Sequence, residues 1–216
     1  MIIAKGIEKS YGTLKVLKNI NIEIKHNEIV AIAGPSGAGK STLLHILGTI
    51  DKADKGEIII NEQNITNTKS SKLSDFRSQN IGFVFQHHHL LPEFTAVENV
   101  CIPAYISKKN KTKTIKKAKE LLYYLGLSDR LEHKPSQLSG GELQRIAVAR
   151  ALINDPKIIL ADEPSGNLDT QNAEELHKLF LELRKKLGQT FIIVTHNQQL
   201  AQMSDRVIKM KDGEIV

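Results

Sequence analysis

The feature that most constrains this chain is the octapeptide GPSGAGKS at residues 34–41. It follows an apolar, strand-like run over 29–33 and opens a segment with helical periodicity over 40–47. In this context the pattern GxxxxGK[ST] is typical of a loop whose backbone N–H groups surround phosphate oxygens, with the helix amino terminus adding positive charge. We expect the following residues to contact a nucleotide: Gly34, Pro35, Ser36, Gly37, Ala38, Gly39, Lys40, Ser41 and Thr42.

Two acidic residues end a second apolar run, over 158–161. A buried strand rarely ends in two carboxylates unless their charges have partners. In a chain with a phosphate loop, Asp162 is expected to hold Mg²⁺ together with Ser41, while Lys40 bridges the β- and γ-phosphates. Glu163, the next residue, is expected to act as a general base that activates water. A general base is needed for hydrolysis but not for binding. The pair Asp162 and Glu163 therefore predicts that the nucleotide is hydrolysed and not only bound.

A second anion-binding helix terminus is predicted at Ser139, Gly140 and Gly141, which open a helical pattern over 139–153. The serine is a good helix cap, and two glycines leave backbone N–H groups accessible at the positive end of the helix. One chain thus carries two phosphate cradles but only one acidic strand. The arrangement that reconciles them is a head-to-tail dimer, in which each nucleotide lies between residues 34–41 of one chain and 139–141 of the other.

The hydrophobic pattern alternates between strands and helices, which predicts an α/β fold with a largely parallel sheet. Strand-like runs occur at 20–24, 28–33, 57–60, 81–85, 157–161, 190–194 and 206–210, and helical patterns at 40–47, 139–153 and 170–187. No strand interrupts residues 95–153, so this stretch is interpreted as a helical insert. We therefore expect one domain over 1–216, with a nucleotide-binding core from 1–86 and 156–216 and a helical subdomain over 87–155.

Composition favours a cytoplasmic protein. The apolar runs are far shorter than the roughly twenty residues of a membrane span, the amino terminus lacks the regions of a secretion signal, and the single Cys101 suits a reducing compartment. The net charge of +6 owes much to seven lysines between 108 and 119. These lysines fit either a solvated helix face or contact with an anionic surface, whether membrane headgroups or a phosphate backbone.

In this order and over essentially the whole chain, the motifs resemble those of the ATP-binding subunits of ABC transporters. The resemblance implies a P-loop NTPase fold: a RecA-like, mostly parallel core sheet with an antiparallel β subdomain, plus an α-helical subdomain. It also implies ATP and Mg²⁺ as ligands. By the same resemblance, Tyr11 stacks on adenine, Gln86 in the Q-loop touches Mg²⁺ or the attacking water, and His196 contacts the γ-phosphate. Residues 165–169 match the family's D-loop.

A narrower resemblance rests on residues 82–86, 90–100 and 162–169. They are similar to the subfamily that contains the ATPases of lipoprotein release, macrolide efflux and cell division, and residues 88–99 look most like the first of these. This implies a peripheral subunit at the cytoplasmic face of the inner membrane. Its partners would be integral-membrane transporter subunits and a second copy of itself, with no nucleic acid.

Two other classes of function are alternatives to a transporter subunit. A soluble ABC-type ATPase acting on DNA or ribosomes would suit the basic charge, but such proteins usually carry a long coiled-coil insert, and no sustained heptads occur here. A nucleotide-binding regulator without turnover is disfavoured because Glu163, Gln86 and His196 are all present.

Overall fold

Strands and helices alternate along the chain, and the computed structural model describes all 216 residues. The strands are β1 (Ile2–Tyr11), β2 (Leu14–Ile24), β3 (Ile29–Ala33), β4 (Lys55–Ile60), β5 (Gln63–Asn64), β6 (Ile81–Phe85), β7 (Ile158–Asp162), β8 (Thr190–Val194), β9 (Arg206–Lys211) and β10 (Glu214–Ile215). The helices are α1 (Lys40–Leu47), α2 (Ser70–Asn80), α3 (Ala96–Ile106), α4 (Lys111–Tyr124), α5 (Gly140–Leu152), α6 (Thr170–Leu187) and α7 (Gln198–Met203). Short 3₁₀ turns occupy Ser128–Arg130 and Pro135–Gln137. Two units are distinguished, residues 1–77 with 180–216 and residues 78–179.

The first unit contains an antiparallel sheet of four strands in the order β2-β1-β4-β5. Its central strand β1 alternates buried and partly exposed residues, as a strand with one face on a core does. Ile2 lies opposite Ile24 on one side and Ile60 on the other, and all three side chains are buried. This sheet corresponds to the antiparallel β part of the predicted fold.

The first unit also contains a parallel arrangement built on β3, which pairs with β8 on one side and β9 on the other. β3 and β8 are almost entirely buried and apolar, which is typical of parallel strands covered on both faces. Ile32 lies opposite Val194, and the two strands run in the same direction. The segments that follow them, the phosphate loop and His196, therefore leave the sheet at the same edge.

The second unit combines the parallel pair β6–β7 with α3, α4 and α5. Residues 95–153 contain these three helices and no strand. Thr95 caps α3 through a capping box with Glu98. Asn99 is fully buried and accepts from the Leu91 N–H at 2.8 Å while its amide donates to the carbonyl of Phe94 at 3.1 Å. The side chain thus holds the segment between β6 and α3 in one conformation.

Five elements were not expected from the sequence, namely β1, α2 and the short elements β5, α7 and β10. β1 contains one lysine at an inward position, and this residue, Lys9, is buried because its ammonium group binds Asp51 at 2.9 Å. α2 is a polar segment with only Leu73 and Phe76 buried, so its helical periodicity is faint. None of the seven helices combines the length and the apolar composition that a membrane span requires.

The lysine-rich segment forms the loop before α4 and the first turns of that helix. Lys117 forms an ion pair with Asp155, and Lys116 lies 4.0 Å from Glu120 on the same helix face. The buried residues of α4 are Thr114, Ala118 and Leu122. Lys108 and Lys109 precede the helix, and the five lysines on it are exposed or partly exposed.

Candidate functional site

The phosphate loop connects β3 to α1, and Lys40 at its end hydrogen-bonds back to the start of the loop. Lys40 Nζ donates to the main-chain oxygens of Gly34 at 2.9 Å and Pro35 at 2.8 Å. An ammonium group has three donors, so one remains for a phosphate oxygen. Gly34 must be a glycine, because a Cβ there would lie 2.1 Å from the main-chain oxygen of Met210. Loop and lysine are thus held as one preorganised structure.

The amino terminus of α1 differs from those of α3, α4, α5 and α7, which are all capped by side chains. Gly39 occupies the cap position with a φ of 92°, a left-handed conformation that favours glycine, and offers no capping side chain. A Cβ at Gly39 would also lie 2.8 Å from Leu17 Cδ2. The first turn of α1 contains no acidic residue. This terminus is therefore suited to an external anion.

Tyr11 presents an aromatic ring at the end of β1. The side chain is half exposed, and its hydroxyl donates to Asp51 Oδ2 at 2.5 Å. Lys9 Nζ lies 5.1 Å from the ring centroid. The hydrogen bond to Asp51 raises the pKa of Tyr11, so the phenol stays neutral. A ring fixed at its hydroxyl end and still exposed can stack on a planar base.

In the second unit, the register of β6 and β7 brings three predicted site residues to one strand edge. Phe85 lies opposite Asp162, so Gln86 and Glu163 both follow directly after this pair. Glu163 has a φ of 46°, a left-handed conformation that costs a non-glycine residue about 1–3 kcal/mol. The Gly166 N–H donates to the Glu163 main-chain oxygen at 3.0 Å, which closes the turn. Backbone strain of this kind concentrates at functional sites.

Ser139 is the cap of α5, as predicted. The Glu142 N–H donates to Ser139 Oγ at 3.3 Å, and the Ser139 N–H donates to the Glu142 carboxylate at 2.8 Å. The hydrogen bond from the Ser139 N–H, together with Arg130, lowers the pKa of Glu142. Because Ser139 Oγ accepts in this pairing, its hydroxyl hydrogen is free to donate to an anion. A Cβ at Gly141 would lie 2.1 Å from Asn172 Oδ1, so a larger residue there would displace the Asn172 amide.

Several residues that hold the Q-loop were not anticipated from the sequence. Arg150 on α5 donates to the main-chain oxygens of His88 and His89, each at 2.6 Å. Burial lowers the pKa of Arg150. Gln144, fully buried on the same helix, contacts His88 Nδ1 through its amide oxygen. The partners are 56 to 62 positions apart in sequence, so no local pattern indicates them.

A protein-family model described as "ABC transporter" matches residues 17–166, well over half of the chain. The chain belongs to the ABC transporter family. The phosphate loop lies within the matched residues, as do Gln86, Ser139, Asp162 and Glu163. Tyr11 and His196 lie outside them. The chain is accordingly an ATP-hydrolysing cassette of this family, which confirms the predicted enzyme class.

Similar proteins cover the chain from end to end. The lipoprotein-releasing system ATP-binding protein LolD of Bacteroides thetaiotaomicron is 58% identical over 215 residues, with 100% of this chain and 99% of the relative covered. The protein of the same name from Cytophaga hutchinsonii is 59% identical over 213 residues, covering 99% of this chain and 97% of the relative. The narrower resemblance found in the sequence is therefore confirmed.

Solved structures confirm the predicted fold. The dimeric structure of MJ0796, a bacterial ABC transporter cassette, superimposes with a TM-score of 0.91 at 41% identity and covers 100% of this chain and 96% of that one. A dimeric, post-hydrolysis state of MJ0796 bound to ADP and Pi gives a TM-score of 0.91 at 40% identity, with the same coverage. The P-loop fold with its antiparallel and helical parts is thus shared with cassettes of this family.

Proposed function

We propose that this chain is the ATPase subunit of a lipoprotein-releasing ABC transporter, attached to the cytoplasmic face of the inner membrane through integral-membrane subunits. The observation that carries the proposal is the full-length similarity, at 56–59% identity, to four proteins that all bear the lipoprotein-releasing name. Macrolide export and cell division are the alternative tasks within the subfamily. Both would use the same ATPase chemistry with different membrane subunits.

The roles proposed for the nucleotide-binding residues follow from their chemistry. Tyr11 stacks on adenine, while the amides of residues 34–42 and the third donor of Lys40 bind the phosphates. Glu163 takes a proton from the attacking water, and His196 contacts the γ-phosphate as its negative charge develops. Gln86 contacts either that water or the Mg²⁺ ion. The strained backbone at Glu163 supports a functional role for this carboxylate.

Mg²⁺ fits the donors that the chain offers. Ser41 has a hydroxyl, Asp162 a carboxylate and Gln86 an amide oxygen, which are the hard oxygen ligands that this ion prefers. No cluster of three or more histidine, cysteine or acidic side chains competes as a metal site. When bound, Mg²⁺ neutralises charge on the β- and γ-phosphate oxygens.

A head-to-tail homodimer closed by ATP is the form proposed for hydrolysis. Ser139 and Gly140 are exposed, and the Ser139 hydroxyl keeps a donor for a phosphate. In the dimer these residues, with Gly141, face the nucleotide that is bound to the phosphate loop of the other chain. The two MJ0796 cassette structures are dimeric, which supports a dimer for this chain.

Ser139→Arg tests the contribution of this segment in trans. We expect hydrolysis to be blocked while ATP binding to the monomer is unchanged, because a long side chain obstructs closure without touching the phosphate loop. ATPase assays and calorimetry measure the two properties separately. Ser139→Ala is the matched control, since it removes the same helix cap, worth about 1 kcal/mol, without adding bulk. Normal turnover by Ser139→Arg would contradict the dimer.

Tyr11→Ala tests the base contact. We expect ATP affinity to fall about 3- to 10-fold, the size of an aromatic stacking contribution of about 0.5–1.5 kcal/mol, whereas Tyr11→Phe keeps the ring and binds ATP within about twofold of the wild type. Affinity is measured by calorimetry with ATP. Equal losses in both variants would assign the effect to the Tyr11–Asp51 hydrogen bond and remove the stacking role.

The transported cargo is tested by depleting the chain from its host bacterium. We expect lipoproteins destined for the outer membrane to accumulate in the inner membrane, which membrane fractionation followed by mass spectrometry detects. Re-expression of the wild type, but not of Glu163→Gln, restores their distribution. Unchanged lipoprotein sorting would contradict the proposal. In that case, macrolide sensitivity or filamentous cells would identify which alternative applies.

A further inference from the structure

The Q-loop and the D-loop are joined by a reciprocal amide contact within the second unit. Gln86 Nε2 donates to Asn167 Oδ1 at 2.9 Å. In return, Asn167 Nδ2 donates to the main-chain oxygen of Gln86 at 3.1 Å and lies 3.2 Å from His87 Nδ1. The two loops follow the neighbouring parallel strands β6 and β7. A single asparagine therefore contacts both the side chain and the backbone of the Q-loop glutamine.

The orientation of both amides follows from what each atom can do. A main-chain carbonyl only accepts, so the Asn167 atom that faces Gln86 O must be the nitrogen. Asn167 Oδ1 then faces the Gln86 side chain, which must present its own nitrogen. The remaining atom, Gln86 Oε1, is left as the acceptor directed away from Asn167. His87 Nδ1 accepts the second Asn167 hydrogen, which places the proton of a neutral imidazole on Nε2.

Gly166 makes this contact possible. A Cβ at this position would lie 2.8 Å from Gln86 Nε2 and 3.1 Å from Gln86 Cδ. Any side chain here would displace the carboxamide from Asn167. Gly166 thus leaves room for the Gln86 carboxamide, and Asn167 holds it by hydrogen bonds.

We infer that Asn167 is a positioning residue that fixes the Gln86 amide so that its oxygen, and not its nitrogen, faces the cation or the attacking water. The inference rests on the role proposed above for Gln86. An oxygen can ligate Mg²⁺ or accept a hydrogen bond from water, whereas an amide nitrogen would repel the ion. Because Asn167 belongs to the D-loop, a movement of that loop also moves the Gln86 oxygen.

The orientation is tested first without turnover. In ¹⁵N-labelled protein, the side-chain amide of Gln86 is assigned by the signal that Gln86→Ala removes. We expect one proton of this pair to be shifted downfield and protected from solvent exchange, and Asn167→Ala to abolish both effects. Gln171→Ala, which removes an exposed amide close by in sequence, is the control and leaves the signal unchanged. A Gln86 signal that is insensitive to Asn167→Ala overturns the inference.

The functional consequence is tested by a double-mutant cycle in ATP turnover. We expect Asn167→Ala to lower kcat about 3- to 10-fold, the worth of one neutral hydrogen bond, with the KM for ATP changed less than about twofold. Asn167→Asp should behave similarly, because it sets an oxygen against the Gln86 carbonyl. In a Gln86→Ala background the effect of Asn167→Ala should disappear. Thermal denaturation identifies any variant that fails to fold.

The outcomes separate two failures. If Gln86→Ala is slow but Asn167→Ala has no effect, or the same effect in both backgrounds, Asn167 does not act through Gln86 and the inference is overturned while the role of Gln86 stands. If Gln86→Ala turns over at the wild-type rate, the proposed role of Gln86 is wrong and the inference falls with it.

Discussion

Glu163→Gln is expected to reduce ATP turnover about 10²- to 10⁴-fold, the contribution typical of a general base. Glutamine keeps the length of the side chain and its capacity to hold a water molecule, but it cannot take up a proton. ATP binding and dimer closure do not require that proton transfer. We therefore expect the variant to accumulate as an ATP-bound dimer, measurable by gel filtration with saturating MgATP.

A control variant and a control nucleotide accompany this prediction. Glu132→Gln makes the same chemical change at an exposed glutamate of the second unit and should leave turnover and the oligomeric state unchanged. ADP in place of ATP should leave Glu163→Gln monomeric. A variant that remains monomeric with saturating MgATP counts against the closed dimer, and one that hydrolyses ATP at the wild-type rate removes Glu163 as the base.

Lys40→Ala is expected to weaken ATP binding about 10- to 100-fold, because a hydrogen bond to a charged group is worth about 1.5–3 kcal/mol. The substitution also removes the bonds from Lys40 Nζ to the carbonyls of Gly34 and Pro35. The loop therefore loses both its charge and its internal brace. Calorimetric titration with ATP measures the affinity directly.

Lys25→Ala is the matched control for Lys40→Ala, since it removes an exposed lysine from the same unit. Its ATP affinity should equal that of the wild type. Thermal denaturation of both variants separates lost binding from lost folding. Unchanged affinity in a folded Lys40→Ala protein would refute the phosphate role of this lysine.

Much of the site could be predicted because its residues carry local signals. The spacing within 34–41, the paired glycines after Ser139 and the acidic end of the strand before Glu163 are each visible in a short window of sequence. Each signal reflects a local backbone requirement, namely a tight loop, an accessible helix terminus or the end of a strand. In the structure these residues lie at strand ends and at helix amino termini.

What could not be predicted depends on contacts between distant residues. Asn167 lies 81 positions from Gln86, and Gln144 lies 56 positions from His88. No periodicity or spacing in the sequence indicates the partner of Asn167 or of Gln144. β1 has no clear strand pattern for a related reason, since Lys9 is compatible with a buried position only through Asp51, 42 positions away. Tertiary pairing, and not local propensity, decides such positions.

We propose that this ATPase drives membrane subunits that release lipoproteins. The most direct test is to purify Glu163→Gln with MgATP from native membranes and to identify the bound proteins by mass spectrometry. We predict that integral-membrane transporter subunits with a large domain outside the cytoplasm co-purify, together with lipoproteins. Recovery of nucleic acid or ribosomal proteins, with no membrane subunit, would contradict the transporter function while leaving the ATPase chemistry intact.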